Sequence, residues 1–334
     1  MEEKFPFEKI ERKILIKAEE ITNSKYGKIP EERSIKESLE YGIININKSQ
    51  GPSSHQITDY VKKILEVDKA GHSGTLDPNV TGSLVIGLGR ATRVIHNLLK
   101  AGKEYVCLMH LHTKQDETKI REIINSFVTR IEQLPPVKSA VKRQKRQRQI
   151  YYITILEIKD NQEVLFKVGC EAGTYIRKLC HDIGLKLDTK AHMQQLIRTR
   201  VGPFNQDKIV SLLELKDAYE LYKEGNEVEL KKIIIPVEKA IQHLPKIWIS
   251  DQAVDPLSHG TNLAIPGIIK LESEIKENET VAILTLKNEL VATGIVKFSS
   301  EEILKKDKGI AVDVEKIYMI PNTYPKYEKT KGFS

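Results

Sequence analysis

One carboxylate of this chain stands in unusual company. In the run Gly71-His72-Ser73-Gly74-Thr75-Leu76-Asp77-Pro78, continuing to Gly82, turn-forming residues crowd around Asp77 between two apolar stretches. A loop that holds one side chain in a cleft has this texture. Asp-Pro is also a common turn pair, so residue types alone leave Asp77 open between chemistry and mere turn formation. Other chemistries fit the chain less well. Gly82 to Gly89 carries glycines at phosphate-loop spacing, but Leu88 and Gly89 stand where a Lys-Ser/Thr pair would meet phosphate and magnesium. That segment reads instead as a buried strand followed by a turn. His110 and His112 would share one face of a strand as a metal pair, yet no further His, Cys or carboxylate pattern completes a site. Surface or satisfied core histidines are the expectation, with no metal. No Gly-x-Ser-x-Gly elbow occurs, which removes one large class of hydrolases.

The elements that would position Asp77 can be read on either side of it. Ile43, Ile44 and Ile46 predict a strand, Gly51-Pro52 a turn, and the two serines that follow a helix cap. Ile57, Tyr60, Val61, Ile64 and Leu65 then recur at helical spacing. Lys103 to His112 alternates so that Tyr105, Cys107, Met109 and Leu111 share a face, and Val164, Phe166, Val168 and Cys170 repeat the pattern. After the Ala172-Gly173 turn, Ile176, Leu179, Ile183 and Leu187 line one side of a helix. Strands and helices mixed without a regular βαβ repeat predict an α+β fold with a mixed sheet. Residues 1–38 are highly charged, with a helix-like pattern at Ile10, Ile14, Ala18 and Ile21, and read as an extension packed onto another part of the chain. A second compositional break falls near Pro236. Beyond it come short strands, Lys246 to Ser250, a hairpin turning at Lys287-Asn288-Glu289 and Gly309 to Ile320, which predict a small β-barrel or sandwich.

The whole chain has 334 residues and a formal net charge of +7, which makes an anionic partner such as nucleic acid a natural expectation. The charge gathers in Lys142, Arg143, Lys145, Arg146 and Arg148, between two strand-like stretches. This run reads either as a solvated loop or as a mobile arm that grips phosphates. The three cysteines have no Cys-x-x-Cys spacing, and the expectation is buried thiols in a reducing compartment. No apolar run is long enough for a membrane span, and Met1-Glu2-Glu3-Lys4 does not open a secretory signal. A cytoplasmic protein is expected.

Gly74-Thr75-Leu76-Asp77-Pro78-Asn79-Val80-Thr81-Gly82-Ser83-Leu84 resembles the catalytic loop of the TruB-type pseudouridine synthases. Asn47-Lys48-Ser49-Gln50-Gly51-Pro52-Ser53-Ser54-His55 is similar to that family's first motif, with Ser49 where proline is usual. Lys103-Glu104-Tyr105-Val106 resembles its tyrosine motif, and Gly173-Thr174-Tyr175-Ile176-Arg177 its arginine motif. Ala101 to Val106, Ser139 to Arg143 and Glu171 to Arg177 resemble most the archaeal, dyskerin-like branch that works in H/ACA guide-RNA particles. So does Lys306 to Glu315, which marks the C-terminal module as similar to a PUA domain.

The resemblance implies a pseudouridine synthase domain over residues 39–235, a PUA-like RNA-binding domain over 236–325 and a tail at 326–334, with the extension 1–38 packed on the C-terminal module. It implies an isomerase of uridine in rRNA or tRNA that needs neither cofactor nor metal. Asp77 would start the reaction, either by attacking the sugar or by assisting a glycal intermediate. Arg177 would hold that carboxylate, and Tyr105 would stack on the flipped base and move a proton on the sugar. Tyr175 and His55 would line the pocket, His55 being open also to a helix-capping role. Lys48, Arg198 and Arg200 stand between phosphate or loop contacts and plain surface charge. Implied partners are H/ACA guide RNA, a small zinc-binding protein, a glycine/arginine-rich-family protein and a kink-turn-binding ribosomal-type protein. The alternatives are a stand-alone enzyme for the T-loop uridine of tRNA, and a non-catalytic RNA scaffold.

Overall fold

The apolar alternation and the serine caps translate directly into elements. The computed structural model describes residues 3–135 and 144–326, so Lys142 and Arg143 lie outside the described residues. In chain order the first elements are β1 (Ile14–Ile16), α1 (Ile35–Tyr41), β2 (Gly42–Lys48), α2 (Ser54–Ile64), β3 (Ala70–His72), β4 (Thr81–Leu88) and α3 (Ile95–Lys100). They are followed by β5 (Lys103–Leu111), α4 (Glu117–Asn125), β6 (Arg130–Gln133), β7 (Arg146–Lys159), β8 (Glu163–Cys170), α5 (Ile176–Lys186), β9 (Ala191–Val201), β10 (Ile209–Val210) and β11 (Ile235–Pro236). Ser53 caps α2, its hydroxyl accepting the Gln56 amide while the Gln56 side chain returns to the Ser53 N–H.

Among the described residues, ten strands form one mixed sheet in the order β10-β2-β4-β9-β5-β8-β7-β6, with β11 added on β2 and β3 on β4. β4 and β9 run parallel, whereas β5 is antiparallel to both β8 and β9. Two apolar clusters hold helices to this sheet. Ile57, Val61 and Leu65 pack with Ile44, Ile46, Leu84 and Ile86. Leu179, Cys180 and Ile183 of α5 pack with Cys107, Met109, Phe166 and Val168. All three cysteines are buried and free.

The C-terminal strands are β12 (Lys246–Ile249), β13 (Leu263–Ala264), β14 (Ile268–Glu272), β15 (Thr280–Thr285), β16 (Leu290–Val296) and β17 (Ile310–Ile317). Asn288 in the β15–β16 turn takes φ +67°, a left-handed conformation that asparagine tolerates. A shared core joins the two parts, with Ile43 and Val85 from the large sheet and Ile95 from α3 against Trp248, Leu284, Leu290 and Tyr318.

The N-terminal extension corrects one expectation. The pattern Ile10, Ile14, Ala18, Ile21 does not form a helix; Ile10, Ile14 and Ile21 are exposed, and Ile14–Ile16 pairs antiparallel with β14. The edge of the C-terminal sheet satisfies that backbone, and this outweighs a helical periodicity of only four residues. The extension also touches the large sheet. Phe5 is fully buried beside Tyr151 and Tyr152, and Arg200 lies 4.5 Å from its ring centre.

Candidate active site

The strand register lays out the site. Lys48 on β2 pairs with Gly82 on β4, Gly82 with Arg198 on β9, and Arg198 with Tyr105 on β5. Residues paired this way project from the same face, so two cations and a phenol stand in one row, with a glycine between them. Gly82 has φ +99°, and a Cβ there would lie 2.3 Å from the Arg198 carbonyl oxygen. Only glycine allows β4 and β9 to approach this closely.

The loop between β3 and β4 lies over this row and is tied down at three points. At its start, Arg198 Nη2 donates to the Gly74 carbonyl at 3.1 Å, and its Nε to Ser83 O at 2.8 Å. In the middle, the Ser54 hydroxyl of α2 accepts the Leu76 N–H at 2.8 Å and donates to the Leu76 carbonyl at 3.1 Å. At its end, the Lys48 ammonium donates to Ser49 O, Pro78 O and Val80 O at 3.0, 3.1 and 2.9 Å. Leu76 and Val80 are buried as apolar anchors, and Asp77 between them is exposed. The Val80 N–H donates to Asp77 O at 3.0 Å, closing a turn with Pro78 at its second position. The two readings of Asp77 therefore coexist: it opens a turn, and the turn presents its carboxylate.

Over the loop, the Arg177 guanidinium meets the Asp77 carboxylate in an ion pair whose two side chains are both more than half exposed. Arg177 sits in the first turn of α5. The chain entering that helix is fixed by buried Gln133, which accepts the Tyr175 N–H at 2.9 Å and donates to the Tyr175 carbonyl at 3.1 Å. Tyr105 is half-buried. Burial raises its phenol pKa against the opposing charge of Arg198, and the charge of Asp77 adds to the rise. Burial lowers the pKa of the Lys48 ammonium, while Asp77 works in the opposite direction.

Several expectations about the cations change here. Lys48 and Arg198 are buried and hold loop carbonyls, so neither can reach a phosphate. Arg200 is occupied by Glu8 at 2.5 Å and by the Phe5 ring, on the N-terminal extension. The basic run is no free arm where it is described. Arg146 and Arg148 are half-buried in β7, opposite β6, and Lys145 pairs with Glu132 at 2.8 Å. Arg148 lies against Gly173, at the root of the segment that presents Arg177. His55 does not cap α2, because Ser53 does. Its exposed ring stands T-shaped to His72, 4.9 Å between centres. His72 and Gln133 are not singled out by the sequence, and Ser54 is read there as a cap rather than as a tether of the loop. Only His72 carried a signal there, its place five residues before Asp77.

The sequence and the fold are similar to those of known proteins. Residues 62–176 match the model of the TruB family pseudouridylate synthase N-terminal domain, and 177–242 that of the tRNA pseudouridylate synthase B C-terminal domain. Residues 245–318 match the PUA domain, and 2–58 the DKCLD domain. A probable tRNA pseudouridine synthase B of Pyrococcus abyssi is 52% identical over 95% of this chain and 96% of its own. Its counterpart in Methanopyrus kandleri is 51% identical over 97% and 95%. Among solved structures, a Cbf5-Nop10-Gar1 complex contains a chain 51% identical, with a TM-score of 0.92 over 96% of this chain and 98% of that one. An H/ACA RNP bound to a substrate RNA containing 2'-deoxyuridine contains one 49% identical, with a TM-score of 0.90 over 97% and 100%. The chain thus belongs to the TruB family of pseudouridylate synthases, as an α+β isomerase of RNA uridine with a C-terminal PUA domain.

Proposed function

We propose that this chain makes pseudouridine with Asp77 as the reacting carboxylate, Arg177 as its partner and Tyr105 as the base-facing aromatic. The observation that carries this is the Asp77–Arg177 ion pair presented over the Lys48–Gly82–Arg198–Tyr105 row. Asp77 acts on the sugar carbon bonded to uracil N1, by attack or by assisting a glycal. The N-glycosidic bond breaks, the base turns, C5 bonds to the sugar carbon, the C5 hydrogen leaves as a proton, and N1 takes up a proton from solvent, so that the product is an isomer of the substrate. The planar guanidinium of Arg177 holds the carboxylate in place. Tyr105 offers a face for stacking, and its raised pKa keeps the hydroxyl protonated. Tyr175, His55, Lys145 and the strand-borne Arg146 and Arg148 flank the approach to the site.

The substrate setting is read from the relatives. A guide-dependent enzyme of rRNA or tRNA is favoured, because the similarity to chains in H/ACA assemblies runs nearly end to end. Counterparts of Nop10 and Gar1 and a kink-turn-binding protein would complete such a particle. Residues 39–235 are read as the catalytic unit and 236–325 as the RNA-holding module, in the cytoplasm. Among the described residues no helix is long and apolar enough to cross a membrane.

The test is Asp77→Asn, assayed by tritium release from uridine labelled at C5. Turnover should vanish while RNA affinity and thermal unfolding stay unchanged; substantial residual turnover would remove Asp77 from the chemistry. Modification mapping on tRNA and on a guide-plus-target pair, with and without partner proteins, separates the two settings. Activity on tRNA alone would favour the stand-alone reading.

A further inference from the structure

The histidine pair at the far end of β5 gains in the fold what the sequence did not supply. His110 is the register partner of His192 on β9 and of Glu163 on β8, and His112 stands two residues further on the same face. Ring centres are 5.2 Å apart for His110–His192, 5.2 Å for His112–His192 and 6.0 Å for His110–His112. Nε2 of His112 lies 3.0 Å from Nδ1 of His192. Nδ1 of His110 meets Glu163 Oε1 at 2.5 Å, which leaves His110 Nε2 for another partner. The second oxygen, Glu163 Oε2, is buried without a hydrogen-bond partner among the described residues.

Three imidazoles bound at about 2.0–2.1 Å around a tetrahedral ion have ring centres about 5.2 Å apart. Two of the three separations already have this value, and the third is wider by less than an ångström. A carboxylate on the far nitrogen of a ligating histidine is the usual way to fix its tautomer and orientation, and Glu163 stands there for His110. Among the described residues no three donors yet converge on one point, so binding requires the rings to turn. His112 and His192 are exposed and free to do so. We propose that His110, His112 and His192, oriented by Glu163, form a binding site for one divalent transition-metal ion, which cross-links the ends of β5 and β9. Neutral imidazoles without thiolate favour zinc, cobalt, nickel or copper over magnesium or calcium. His110 is five residues along β5 from Tyr105, roughly 17 Å at the rise of a strand, so the ion is structural and takes no part at Asp77.

The full chain, free of any histidine tag and stripped with chelator, is titrated with Co2+ and with Zn2+. Calorimetry gives stoichiometry and Kd, and the visible spectrum of bound Co2+ reports its coordination. One ion per chain at micromolar Kd or tighter is expected, raising the midpoint of thermal unfolding. Glu163→Gln should weaken it about ten- to hundredfold, and His112→Ala with His192→Ala should abolish it without changing the metal-free midpoint. Undiminished binding in that double variant would overturn the proposal, as would loss of the ion in His55→Ala with His72→Ala, or no stoichiometric binding by the unaltered chain.

Discussion

Replacing Lys48 with methionine tests whether a buried ammonium, rather than the turn alone, holds Asp77 in place. Methionine keeps most of the apolar length and removes only the donor. Three carbonyls are affected. Pro78 O retains the Gly51 N–H at 3.0 Å and exposed Ser49 can turn its carbonyl to water, whereas the carbonyl of buried Val80 loses the Lys48 donor. A buried acceptor left unpaired costs about 1–3 kcal/mol. Relief of the ammonium's desolvation, visible in its lowered pKa, offsets part of that cost. The expected net loss is about 1–2 kcal/mol of stability, measured by denaturant unfolding. The effect on rate should be larger than a global loss explains. Val80 anchors the turn that presents Asp77, and a displacement near 1 Å at a reacting group costs about 100-fold. Single-turnover tritium release should therefore fall by about that factor at saturating RNA, with RNA affinity unchanged. A variant that keeps its rate within threefold would refute the argument. Unchanged rate with weaker RNA binding and a flatter salt dependence would restore Lys48 as a phosphate contact.

The strand crossing under the loop gives a second prediction: Gly82→Ala should fold less stably and lose modification, because its Cβ would meet the Arg198 carbonyl at 2.3 Å. An alanine variant of normal rate would show that β4 and β9 can part without disturbing the site. Lys103 gives a pH test. Its buried ammonium caps α3 through the carbonyls of Leu98, Leu99 and Ala101, and burial lowers its pKa to about 7. That lies below the unfolded value of about 10.4, so unfolding takes up a proton in between, and stability rises with pH from about 7 to about 10.4. Denaturant unfolding of Lys103→Met should lack this rise, by up to ~1.4 kcal/mol per pH unit; parallel pH profiles would contradict it. Changing Lys145, Arg146 and Arg148 together to glutamine should weaken RNA binding and flatten its salt slope by about 0.7–0.9 for each phosphate that is no longer neutralised. An unaltered slope would show that this hairpin does not meet the RNA backbone.

What could be read from the sequence follows from how local each signal is. The alternation in Lys103 to His112 and the serine cap at Ser53 depend on neighbours within a few residues, and both elements formed where they were expected. Asp77 was visible because its turn formers adjoin it. Lys48 and Arg198 stayed open between phosphate contact, loop contact and surface charge for the opposite reason: their partners Val80 and Gly74 are 32 and 124 residues away. A lysine's burial is decided by carbonyls that only tertiary structure brings to it, so no tally of nearby charges could have shown it. The same holds for His192, 82 residues beyond His110 in sequence and its direct neighbour across the sheet. The N-terminal extension fails in the other direction, because four apolar residues at helical spacing carried no information about the β14 edge that was waiting for them. Local pattern thus drew attention to the proposed reacting carboxylate, while register brought together the residues that hold its loop. That difference is why the Lys48 and Gly82 substitutions test the site more sharply than any change to Asp77 itself.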